Sequence, residues 1–131
     1  MFSAKNPINT KLSNKEIDIN RTDKAWISVA YTDVTICTYK ILSDGIYLFT
    51  GYVTIESSKT DRTYFSSINV NGIAMVKATQ MGSAAYGIQI PMSTIITCKA
   101  GDIITTTAQV NYVNENYAGL ATGILRLIKL Y

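Results

Sequence analysis

From Trp26 onward the chain reads as a series of short strand-like segments, several of them alternating apolar and polar positions with a period of two, the pattern of strands with one buried face. The runs Trp26-Ile27-Ser28-Val29-Ala30-Tyr31 and Val34-Thr35-Ile36-Cys37 are rich in the β-branched and aromatic residues that favour strands. Asp44-Gly45 predicts a turn and residues 46–55 the strand after it. In that strand Tyr47, Phe49, Val53 and Ile55 form one apolar face, with Gly51 leaving room for a neighbouring ring. Ile46, Leu48 and Tyr52 populate the other face, so both are expected to be covered at one end. Residues 64–70 place Tyr64, Ile68 and Val70 on one side and Asn69 on the other. Asn71-Gly72 then predicts a type I′ hairpin, because both residues tolerate positive φ, with residues 73–78 returning.

Residues 73–85 also carry some helix propensity, but Gly82 and the flanking strand pattern select strand and loop. Residues 85–90 and 92–98 read as two short strands around Pro91, which belongs at an edge or a bend. Ala100-Gly101-Asp102 turns the chain into a β-branched run at 103–110, and residues 111–119 form a long loop. Residues 120–131 close the chain, apolar on both faces. About eight to ten short strands without a helix predict an all-β antiparallel jelly-roll sandwich. Residues 1–23 are polar and weakly patterned, either a lead-in or a first edge strand with Ile17 and Ile19 alternating against charges. The domain proper is expected over residues 24–131.

Composition narrows the function. Apolar residues make up 47% and charged residues 16% of the 131, so one well-packed domain is expected, with part of its charge-poor surface covered by a partner. The net charge is +3, of which +2 falls in residues 1–24: Lys5, Lys11, Lys15, Arg21 and Lys24 against Glu16, Asp18 and Asp23. No basic stripe marks a nucleic-acid partner. No apolar run fits a signal peptide or a membrane span. Cys37 and Cys98 lie far apart in apolar runs and read as buried free thiols, with a disulfide the alternative. Asn20-Arg21-Thr22 matches a glycosylation sequon that needs secretion to matter.

The chain has no histidine, which removes Ser-His-Asp and Cys-His catalysis and histidine metal sites. The two cysteines lack a Cys-x-x-Cys spacing for zinc. Nine scattered acidic residues offer no evident glycosidase pair. Asp33, Asp44 and Asp102 could contribute to a calcium site, but turn positions favour Asp for its own local hydrogen bonds. No enzyme, no cofactor and no metal are therefore expected.

The segment Asp44-Gly45-Ile46-Tyr47-Leu48-Phe49-Thr50-Gly51 resembles the Gly-x-Tyr-x-Phe strand of complement globular-head and tumour necrosis factor-like jelly rolls. Val70-Asn71-Gly72, Lys99-Ala100-Gly101-Asp102-Ile103 and the apolar final strand extend the resemblance over residues 25–131. It implies a homotrimer around a threefold axis, of the kind that tips phage tail fibres, receptor-binding proteins and head fibres. The Asn/Ile/Thr/Lys/Tyr-rich composition favours this phage branch and a virion-surface location over a secreted cytokine or complement-like ligand. A purely structural virion component, such as a capsid decoration or trimerisation module, is the alternative. The chain departs from the family in having no collagen-like repeat and no calcium-site carboxylate cluster.

Two surfaces are candidates for binding. In the loop at 111–119, Tyr112, Asn114, Asn116 and Tyr117 suit a cell-surface glycan, ring faces stacking on a pyranose while amides bond its hydroxyls. A virion protein is the other ligand considered, and the same tyrosines could instead cap the core or pack on a neighbouring subunit. Tyr31 and Tyr86 with Gln89 are weaker candidates, and Trp26 is expected in the core. In the final strand, Leu120, Ile124, Ile128 and Leu130 share one face, and Leu125, Leu127 and Tyr131 the other. The second set is assigned to the trimer interface, since a strand apolar on both faces needs two covers.

Overall fold

The computed structural model describes residues 18–56, 62–82, 87–111 and 119–131, the side chains of residues 18–20 excepted. These residues form eight strands and no helix: β1 (Asp18–Ile27), β2 (Val34–Lys40), β3 (Gly45–Ile55), β4 (Thr63–Val70), β5 (Ile73–Met81), β6 (Ile88–Cys98), β7 (Ile103–Val110) and β8 (Gly119–Lys129). Two antiparallel four-stranded sheets result, ordered β1-β8-β3-β6 and β2-β7-β4-β5. Only β4 and β5 are neighbours both along the chain and in a sheet; every other pairing spans a crossover, as a jelly roll requires.

The alternation in β3 sets the core. Tyr47, Phe49, Val53 and Ile55 are all buried and meet Tyr64, Ile68, Ile104 and Val110 of the opposite sheet. Tyr47 keeps its hydroxyl satisfied by donating to the Ser43 carbonyl at 2.7 Å. Gly51 does make room, but for backbone: a Cβ there would overlap the Ile124 carbonyl of β8 rather than a ring. The hairpin between β4 and β5 turns on Asn71 (φ 51°) and Gly72 (φ 82°), the I′ conformation expected from that dipeptide.

Three local expectations change. Residues 88–98 form one strand, not two, because β6 is the outer strand of its sheet and can carry Pro91 with one backbone edge unpaired. The first strand stops at Ile27 instead of running to Tyr31, which sits in a turn with φ 55°. Trp26 is not in the core: it pairs with Leu120 on the outward side of β1 and is 61% exposed. Cys37 and Cys98 are both buried and are not joined in a disulfide. Cys37 Sγ lies 3.3 Å from the Gly123 carbonyl oxygen, and burial is the main cause that pushes its pKa up.

One core contact is left unmade. Thr106 Oγ1 is buried and, among the described residues, has no hydrogen-bond partner. Thr106→Val keeps the side-chain shape and removes the stranded hydroxyl, so it is expected to stabilise the fold by about 1 kcal/mol in urea unfolding.

Candidate functional site

The glycan-loop residues Tyr112, Asn114, Asn116 and Tyr117, and Tyr86 with them, lie outside the described residues. The start of their loop is fixed, however. The Asn111 amide donates to the Thr63 carbonyl at 3.0 Å, and the Thr63 amide to Asn111 Oδ1 at 2.9 Å. Tyr31 is tied to the same end of the sandwich by its amide, which donates to the Val110 carbonyl at 2.8 Å. Gln89 sits near the start of β6, in the sheet opposite the one that holds Val110.

The three aspartates act on the backbone and on neighbouring amides. Asp44 Oδ1 accepts from the Ala100 amide at 2.9 Å, and Asp102 Oδ2 from the Lys99 amide at 2.8 Å. Asn71 joins the turns, its Nδ2 donating to Asp102 Oδ1 at 3.0 Å while its Oδ1 accepts from the Ile103 amide at 2.9 Å. Among the described residues no group of three or more acidic or thiol side chains could hold a metal ion.

The Lys99 amide, helped by the Asn71 side chain, holds the Asp102 carboxyl below its ordinary value. A depressed native pKa means that this contribution to stability is complete above the ordinary value of 3.8 and is lost as pH falls through the lowered one. Asp102→Asn is therefore expected to flatten the acid limb of the stability–pH curve, read as the urea midpoint from pH about 5 downward.

The terminal strand corrects the interface assignment. Leu125 and Leu127 are 0% exposed and point between the sheets, so neither can meet another copy. Tyr131 is 81% exposed and lies beyond the strand, its carbonyl accepting from the Ile46 amide at 3.3 Å. The side of β8 that faces outward carries Leu120, Thr122, Ile124, Arg126 and Ile128. Registration continues the apolar positions across the sheet, because residues directly opposite share a face. Ile124 lies beside Tyr52 and Tyr52 beside Pro91; Ile128 lies beside Leu48 and Leu48 beside Ile95. Two rows of apolar side chains thus cross the outer face, with Trp26 and Leu120 at one corner. Among the described side chains of this face, Lys24 and Arg126 are the charged ones.

The outer face of the second sheet is different in kind. A cavity of about 380 Å³ opens there, lined by Phe65, Ser67, Asn69, Lys77, Gln109 and Asp33 among others. Ser67, Asn69 and Thr107 are only 6% exposed, although they sit on the side of the sheet away from the core. Sequence reading missed this feature, noting only that Asn69 opposes Ile68 and Val70. The available signal was small polar residues at alternate positions of two segments, Ser67 and Asn69 against Thr105 and Thr107, which only the β4–β7 pairing makes adjacent.

No known family profile matches the sequence, and no curated protein is similar to it. Solved structures are. The globular domain of a zebrafish complement 1qA protein is similar over 84% of this chain and 97% of that one, with TM-score 0.57 and 9% identity. Eiger TNF from S. frugiperda is similar over 87% and 93%, with TM-score 0.55 and 10% identity. What the chain shares with them is the jelly-roll fold. The Gx strain structure of infectious bursal disease virus is also similar, with TM-score 0.61 and 13% identity, over 86% of this chain but 32% of the viral one. Identities this low establish a shared fold alone.

Proposed function

We propose that this chain is the non-enzymatic head domain of a phage-fibre-like virion appendage, homotrimeric, recognising a host-surface glycan or another virion protein. The outer face of the β1-β8-β3-β6 sheet carries the proposal. Its rows of Ile124, Tyr52 and Pro91 and of Ile128, Leu48 and Ile95 would be covered by a second copy. Low overall charge supports the same reading, as does the fold shared with a viral particle protein.

Light scattering behind gel filtration at micromolar concentration is expected to give three times the chain mass of 14.4 kDa. A single-chain mass would overturn the assembly. Ile124→Glu places a charge in the middle of the face and is expected to yield monomer with unchanged far-ultraviolet circular dichroism. The likeness to a viral particle protein also favours a second reading, a structural virion component with no receptor role. Binding of fluorescently labelled trimer to host cells separates the two: a trimer that binds no cell surface is the structural component.

A further inference from the structure

We infer that the cavity on the outer face of the β2-β7-β4-β5 sheet is a binding site for an uncharged saccharide of one or two rings. The inference rests on the ligand-binding half of the function proposed above, and not on threefold assembly. At about 380 Å³ the cavity falls at the small end of the usual range for small-molecule sites, roughly 300–1,000 Å³.

The floor is made of hydroxyls and amides already held in place. Ser67 Oγ donates to Asn69 Oδ1 at 3.2 Å and lies 2.6 Å from Thr107 Oγ1. Asn69 Nδ2 donates to Thr105 Oγ1 at 3.2 Å. On the wall Gln109 Nε2 donates to Asp33 Oδ1 at 2.6 Å, which fixes the amide and leaves Gln109 Oε1 and the second carboxylate oxygen as acceptors. A network that is satisfied internally and still holds spare acceptors binds hydroxyls without first having to be ordered.

Three further features select a sugar. Phe65, flanked across the sheet by Thr79 and Gln109, supplies the apolar ring against which the C–H face of a pyranose packs. Opposite, Gly72 and Ala74 leave space unfilled, and the register shift between Ile68 and Asn69 bends the paired strands there. The charges of the lining also balance, Lys77 against Asp33, so no net field holds a phosphate or sulfate. Lys77 has no ion-pair partner among the described residues and is left to donate to a ring or hydroxyl oxygen.

The test is a titration of the ¹⁵N-labelled chain with lactose, cellobiose, maltose and chitobiose, followed by amide chemical shifts. At least one sugar is expected to saturate with a Kd near 1 mM and to move the amides of Phe65, Ser67, Lys77 and Gln109. Gln109→Ala and Phe65→Ala should each weaken that sugar about tenfold, with Ser93→Ala, exposed on the other sheet, as an unaffected control. The variants' own spectra report whether they are folded. The inference fails if no sugar moves these amides, if the shifts fall on residues 112–117 instead, or if 3′-sialyllactose binds far better than lactose. Monomer mass with a saturable groove would retain this site and overturn only the assembly.

Discussion

Leu125→Ala is expected to destabilise the chain by about 3 kcal/mol, seen as a lower urea midpoint at unchanged slope. Leu125 is fully buried between the sheets, and β8 is an interior strand held by β1 on one side and β3 on the other. Shortening its side chain leaves a void that two flanking ladders prevent from closing. The adjacent residue gives the contrast. Ile124 points out of the sandwich, so Ile124→Ala should change chain stability by less than about 1 kcal/mol in dilute solution and act on association instead. Equal losses from the two substitutions would mean that the faces of β8 are not divided in this way.

Gly51→Ala is expected to be as damaging, although it adds only a methyl group. The new Cβ would overlap the Ile124 carbonyl oxygen and come within 3.0 Å of the Ile124 carbonyl carbon and 3.2 Å of the Leu125 Cα. All three atoms are backbone, so no side-chain rotation relieves the contact. The β3–β8 ladder has to open locally, at a cost of about 3 kcal/mol. Thr50→Ala, its neighbour, should stay within about 0.5 kcal/mol and serves as the reference. Urea unfolding of the two variants side by side is the measurement.

What could be read from the sequence was local. The β3 face of Tyr47, Phe49, Val53 and Ile55 followed from alternation alone, and the β4–β5 hairpin from Asn71-Gly72, since both depend on residues a few positions apart. Trp26 was misplaced because its size argues for burial, whereas its face is set by pairing with Leu120, far along the chain. For the same reason Leu125 and Leu127 were assigned outward: a strand apolar on both sides does not say which side meets its own core. Pro91 belongs at an edge or a bend, and nothing local chooses between them; the structure places it on an edge strand that runs through it unbroken. The polar cavity was least legible, being assembled from β4, β5 and β7 by register.

The placement of β1 has a mechanical consequence. This strand is held by a single neighbour, and its first residue, Asp18, lies opposite Ile128 near the end of β8. Tension applied between residues 18 and 129 would open that ladder from one end, breaking its bonds in succession at low force. Tension between residue 18 and the far end of the sandwich would instead load all ten residue pairs in shear. The resistance of the domain to force thus depends on the direction of pull, and a partner gripping the far loops meets the stronger axis.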